Sequence, residues 1–162
     1  PYAYMNEIIG RSLHAPAAFG SQAPDAGNAE ILWQFGTPAQ QQQWLAPLVN
    51  GDIRSSFAMT EPEVSGADPT GLQATGVRDG DDWVINAHKW FITGASRAAF
   101  FIVMVGTELD APLHNRVNLY RAEPDSLRGL YPLDYPLGAE PPAVHVAEYL
   151  VVQGIQADGN PA

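Results

Sequence analysis

The chain has 162 residues, of which 18 are acidic and 8 basic, with a net charge of −10 and no cysteine. So acidic a surface cannot neutralise a phosphate backbone, which excludes sequence-independent nucleic-acid binding; the missing cysteines exclude disulfides, thiolate catalysis and cysteine-ligated metal centres, and fit an intracellular protein. No apolar run approaches the ~20 residues of a membrane span, and no basic segment leading into an apolar one marks a signal peptide.

The length suggests one domain, or one and a piece. Net acidity gives an anionic ligand no long-range attraction, so any anion site must be local. The cations to watch are Arg54, Arg78, Arg97 and Lys89, the only lysine. The chain begins at Pro1 without an initiator methionine, which suggests an excised piece.

In chain order, Tyr4, Ile8 and Ile9 lie at helical spacing and the pattern ends at Gly10-Arg11-Ser12. An Ala/Pro/Gly-rich loop is expected from Ala15 to Pro24. Asp25 is placed to cap a second helix carrying Ile31, Leu32 and Phe35, which Gly36 stops. Thr37-Pro38-Ala39-Gln40 is a capping box with proline at the first helical position. Its helix presents Trp44, Leu45 and Leu48 on one side and stops at Asn50-Gly51.

The texture changes near Asp52, which divides the chain into a helical part, 1–52, and a β-rich part, 53–162. Ile53 to Met59 and Gly71 to Arg78 read as strands. Arg78 to Asp81 is a turn and Trp83 to Asn86 a returning strand, so a hairpin is expected. Ala99 to Val105 is a continuous apolar run of strand length, expected to be buried on both faces. Val117 to Ala122, Leu127 to Leu130 and Val144 to Val152 read as further strands. Strands at this spacing point to a barrel or sandwich.

Two stretches stand out: F-A-M-T-E-P-E-V-S-G-A-D, Phe57 to Asp68, and H-K-W-F-I-T-G-A, His88 to Ala95. Together they offer an apolar platform edged by backbone N–H groups and a small hydroxyl, which suits a planar heteroaromatic cofactor. His14, His88, His114 and His145 are scattered, and none has metal-ligand spacing. No G-x-S-x-G elbow supports a hydrolase, and no Gly-rich phosphate loop supports a Rossmann or P-loop site. Glu61 and Glu63 flank Pro62 and are read as solvated turn residues, since carboxylates are rarely buried unpaired. His88 and Lys89 are read as lying on the solvent face of a strand. Asp68 before Pro69 is expected to bond backbone N–H groups of its own turn. Trp90 and Phe91 are adjacent, so on a strand one faces the core and the other a ligand.

These residues resemble the acyl-CoA dehydrogenase family. The resemblance rests on F-A-M-T-E-P with its small-residue turn to Asp68, and on I-N-A-H-K-W-F-I-T-G, Ile85 to Gly94. It extends to Phe35 to Pro38, Gln43 to Leu45 and Leu48 to Arg54. Ala23 to Asn28, A-P-D-x-G-N, is similar to the branch of family members ten and eleven. It covers most of residues 2 to 106 and fades beyond Glu108.

The resemblance implies an α+β fold: short N-terminal helices packed on a central antiparallel β-barrel-like domain. The family's C-terminal helical bundle, which carries its usual catalytic glutamate, is expected to be absent from this chain. The implied activity is FAD-dependent α,β-dehydrogenation of an acyl-CoA, with hydride passing to the flavin and an electron-transfer flavoprotein as acceptor. By motif, the implied FAD contacts are Phe57, Ala58, Met59, Thr60, Gly66, Ala67, Phe91, Ile92 and Thr93; Ala67 also approaches the substrate. Ala67 stands where many members have serine, which removes a hydroxyl contact. No catalytic or metal residue is assigned, and the chain alone is expected to be inactive. The full-length form is implied to be a homo-oligomer, cytoplasmic in a bacterium or otherwise mitochondrial or peroxisomal. The alternatives are a flavin oxidase or monooxygenase on the same scaffold, and a non-catalytic β-domain that binds a partner protein.

Overall fold

A computed structural model describes residues 2–80, 82–112, 117–122 and 154–155. Five short helices lead into a six-stranded sheet. The helices are α1 (Tyr2–Ile9), α2 (Ala15–Ala18), α3 (Asp25–Phe35), α4 (Pro38–Gln40) and α5 (Ala46–Asn50), with a π-helical stretch, Gln41–Leu45, joining the last two. The strands are β1 (Ser55–Ala58), β2 (Thr75–Asp79), β3 (Asp82–Asn86), β4 (Phe100–Gly106), β5 (Val117–Ala122) and β6 (Gly154–Ile155). The α+β, barrel-like class is as expected. Among the described residues no helix is long and apolar enough to cross a membrane.

The helix signals hold with local exceptions. The stretch expected to be loop contains α2, since Pro16 at its start is preset for helical φ. Asp25 is not a cap: it is the first residue of α3, and its carboxylate reaches instead to Ser55 and Arg54. In α1 only Ile9 is buried, while Tyr4 and Ile8 are exposed. Gly36 ends α3, and a Cβ there would collide with the Leu32 carbonyl. The Gln41 amide then donates to the carbonyls of Leu32, which also accepts from Gly36 N, of Trp33, and of Gly36 just past the helix, helping to satisfy that helix end. The Thr37 capping box closes in both directions: Gln40 N donates to Thr37 Oγ1 at 3.3 Å, and Thr37 N to Gln40 Oε1 at 2.9 Å. Gly51, at φ 82°, supplies the left-handed stop after α5.

Strand β4 is the organising element. One edge pairs antiparallel with β5; the other takes β1 in parallel from Phe100 to Val103, then touches β2 at Gly106. The sheet is therefore mixed rather than purely antiparallel. Its apolar run alternates faces as pleating requires. Phe100 and Ile102 pack with Leu32, Leu48, Trp44 and Phe57 against the helices. Phe101, Val103 and Val105 pack with Ala58, Ala74, Ile85 and Ala87 on the opposite side. Both faces are buried, as the continuous run of β-formers predicted.

Strands β2 and β3 form the expected hairpin, with Val77 opposite Val84 and Gly80 at φ 62° in the turn. Strand β2 begins only at Thr75, because Pro69–Gly71 forms a 3-10 turn capped by Asp68. Strand β1 is likewise shorter than expected. The strands predicted over Leu127 to Leu130 and Val144 to Val152 lie outside the described residues, as does Asp81.

Replacing Thr37 by Ala removes one half of the capping box and is expected to cost about 1 kcal/mol. Chemical denaturation at constant m-value measures this; an unchanged midpoint would show that the box contributes nothing.

Candidate functional site

The two stretches singled out in the sequence meet. Past β1, residues 59–68 leave the sheet; past β3, residues 87–94 return beside them. Trp90 N donates to the Thr60 carbonyl at 3.1 Å, joining the stretches backbone to backbone. One residue away, Lys89 Nζ donates to the Met59 carbonyl at 2.8 Å and to Glu61 Oε1 at 2.7 Å. Ser56 Oγ donates to the Thr93 carbonyl at 2.7 Å.

Glu61 is not a solvated turn residue, and Lys89 does not lie on a solvent face. Their side chains are 2% and 4% exposed. Each charge has the company that burial demands. Glu61 accepts from Lys89 and from Ala74 N (3.0 Å) on Oε1, and from Gln73 N (2.7 Å) on Oε2. One carboxylate thus fixes the entry to β2, the T-E-P segment and the lysine together. Burial still outweighs pairing for the ammonium and holds the Lys89 pKa below its ordinary value. Glu63 does lie at the surface, where it contacts His88 Nδ1 at 2.9 Å. Such exposed pairs contribute little.

Phe91 is not on a strand. Its φ is 52°, the only positive value at a non-glycine among the described residues, and backbone of that kind is strained for a bulky side chain. Trp90 and Phe91 therefore do not point to opposite faces of a sheet; their rings stack at a centroid distance of 4.5 Å, tilted by 46°. Phe91 is 81% exposed. Its ring is thus held outward, on a strained backbone, beside the joint between the two stretches.

The other candidates fall around this point. Met59 and Thr60 are half-buried beside the joint, and Ala58 is buried in the sheet. Gly66 folds back on Thr60, so that a Cβ would lie 3.4 Å from Thr60 Cγ2. Ala67 is exposed in the same turn, its N–H near Ser65 Oγ at 3.4 Å. Ile92 packs on the sheet core, and Thr93 is exposed with only its carbonyl anchored. Phe57 departs from this strip, for its side chain packs toward the helices.

Sequence reasoning missed the Lys89–Glu61 pair and the buried polar residues Asn28, Ser55 and Ser56. The one available signal was a lone lysine inside an aromatic-rich run of a chain otherwise dependent on arginine.

The chain is 46% identical over 121 residues to the probable acyl-CoA dehydrogenase FadE2 of Mycobacterium tuberculosis, covering 73% of this chain and 30% of the relative. The profile described as acyl-CoA dehydrogenase, middle domain, matches residues 56–130. The chain belongs to the acyl-CoA dehydrogenase family. Mouse acyl-CoA dehydrogenase family member 10 is 40% identical over 127 residues, 77% of this chain and 12% of that protein. A solved structure described as an acyl-CoA dehydrogenase from Mycobacterium abscessus superposes with a TM-score of 0.73 at 40% identity, covering 81% of this chain and 34% of that one. The chain thus spans about a third or less of the length of these family members.

Breaking the buried pair from one side leaves an uncompensated charge. Lys89→Met or Glu61→Gln is each expected to destabilise by about 3–5 kcal/mol, and the double variant by less than the sum. Additive losses would show that the two groups do not interact. As the only lysine, Lys89 is directly visible by side-chain NMR after lysine-specific labelling. Its titration midpoint is expected below that of an unfolded lysine. With the folded pKa depressed, the unfolded chain binds more protons between the two midpoints, so this group's contribution to stability rises with pH there. A midpoint at or above the unfolded value would mean that pairing outweighs burial.

Proposed function

We propose that this chain carries one wall of the flavin site of an FAD-dependent acyl-CoA dehydrogenase. The observation that carries the reading is the junction of the 59–61 and 89–93 stretches, with Phe91 left exposed on a strained backbone beside it. The residues fit such a cofactor. Phe91 offers an apolar face, Met59 and Thr60 offer backbone at an edge, and Gly66 keeps the neighbouring turn thin against Thr60. A planar heteroaromatic ring needs both kinds of contact. When bound, the flavin supplies the hydride acceptor for α,β-dehydrogenation of an acyl thioester.

In this reading Ala58, Met59, Thr60, Phe91, Ile92 and Thr93 hold and orient the ring, with Phe57 lending its backbone. Gly66 and Ala67 border the cofactor phosphates and the acyl-CoA chain. Donors fixed in place before the reaction stabilise developing charge without reorganising. Glu61 is not a base here, because its three acceptor contacts, one of them from the lysine, hold it as a strut. The proton-abstracting base comes from outside the described residues, and an electron-transfer flavoprotein is the acceptor. The division near Asp52, with helices before and β-domain after, belongs to the same reading; the middle-domain match beginning at residue 56 supports it.

Titration of FAD into the purified 162-residue chain, followed by tryptophan fluorescence, is expected to give saturable quenching through Trp90. Phe91→Ala is expected to weaken it about tenfold, the scale of one aromatic contact. The same chain is expected to show no dye-linked acyl-CoA oxidation. Absence of quenching would favour a non-catalytic β-domain; turnover would show that a base lies within these residues.

A further inference from the structure

The A-P-D-x-G-N stretch, Ala23 to Asn28, opens α3. Its two polar side chains both leave the helix. Asp25 Oδ1 accepts from Ser55 N at 2.8 Å and from Ser55 Oγ at 2.7 Å, while Oδ2 meets Arg54 at 3.2 Å. Asn28, 1% exposed, donates its amide to Ser55 Oγ at 2.9 Å and to the Ser56 carbonyl at 3.0 Å. Ser56, fully buried, directs its hydroxyl proton to the Thr93 carbonyl at 2.7 Å.

We propose that Asn28 and Ser56 are positioning residues: they set the Thr93–Gly94 peptide at the edge of the cofactor wall and transmit the placement of α3 to it. The inference rests on the flavin reading for its purpose, and on the hydrogen bonds alone for its mechanism.

Two features separate this from simple docking of helix on strand. Asp25 already ties α3 to β1 through Ser55, so the Ser56 hydroxyl is not needed for that contact. It is the bond that leaves the helix–strand pair and reaches the loop. The loop also needs an anchor. Gly94 sits at φ 76° with its α-carbon facing Ser56, a Cβ there lying 3.6 Å from Ser56 Oγ. A glycine so placed has little local preference for one peptide orientation. The preceding carbonyl is held by a side chain 37 residues away in sequence. Beyond it a short turn closes from Ala95 N to the Ile92 carbonyl at 3.3 Å and from Arg97 N to the Gly94 carbonyl at 3.0 Å.

The test compares Ser56→Ala, Asn28→Ala and Ser56→Thr with Thr37→Ala, a cap variant remote from Thr93. Hydrogen exchange in the chain without flavin reads the mechanism, and FAD affinity reads the purpose. Ser56→Ala is expected to speed exchange of the Ala95 and Arg97 amides about tenfold while β4 amides keep their protection. It is expected to weaken FAD binding severalfold under conditions where the chain remains folded. Ser56→Thr, which retains the hydroxyl, recovers both; Thr37→Ala moves neither. Should Asn28→Ala fail to fold, the Ser56 variants decide alone. Uniform acceleration across β4, or exchange at Ala95 and Arg97 no faster than in Thr37→Ala, overturns the positioning role. If the unaltered chain does not bind FAD, the flavin reading fails while the exchange data still decide the mechanism.

Discussion

A lysine and a glutamate, both withdrawn from water, hold the candidate site of this molecule together. Lys89 and Glu61 each bring their own strand exit, and Glu61 also gathers Gln73 and Ala74 at the entry to β2. Three segments distant in sequence therefore share one buried node. Such a pair is not an efficient source of stability, since desolvation offsets most of the attraction. Its effect is geometric: an apolar substitute would bury equal area but would not fix which carbonyl or which N–H lies where. The consequence is the backbone joint from Trp90 to Thr60, which aligns the two stretches side by side.

A second anchor works from the opposite side. The polar run from Asp25 and Asn28 through Ser55 and Ser56 ends on the Thr93 carbonyl, so the wall is fixed at both ends of the 89–93 segment. Between these anchors Phe91 is driven to positive φ and outward. Strain of that order, about 1–3 kcal/mol, persists only where the surroundings overdetermine the backbone. Here they do, from two directions. Rigid elements lie beneath: β4 is packed on both faces, and β1, which carries Ser55 and Ser56, runs parallel to it.

Much of the scaffold was legible in the residues. The capping box at Thr37, the stop at Gly51, the hairpin around Gly80 and the doubly buried β4 each follow from local chemistry that tertiary contacts did not override. What misled was context. Glu61 beside Pro62 looked solvated because nothing nearby in sequence marks its partner, which lies 28 residues on. Asp25 at a helix start has the propensity of a cap, yet an unpaired Ser55 backbone and hydroxyl competed for it more strongly. His88 to Thr93 has the composition of a strand, but Lys89 is pulled inward and Gly94 turns left-handed, so the pleat cannot continue. The residues proposed to face a cofactor were visible only as motifs, because periodicity places side chains on faces and says nothing of which face meets a ligand.

The central claim is that the 58–60 and 91–94 segments form a single surface suited to a planar ring. The most direct test is an amide chemical-shift map of the isotopically labelled chain with and without FAD. The account predicts coincident shifts in both segments, with the same saturation concentration, and little change in α1 or the β2–β3 turn. Shifts confined to one segment, or centred elsewhere on the sheet, would contradict it.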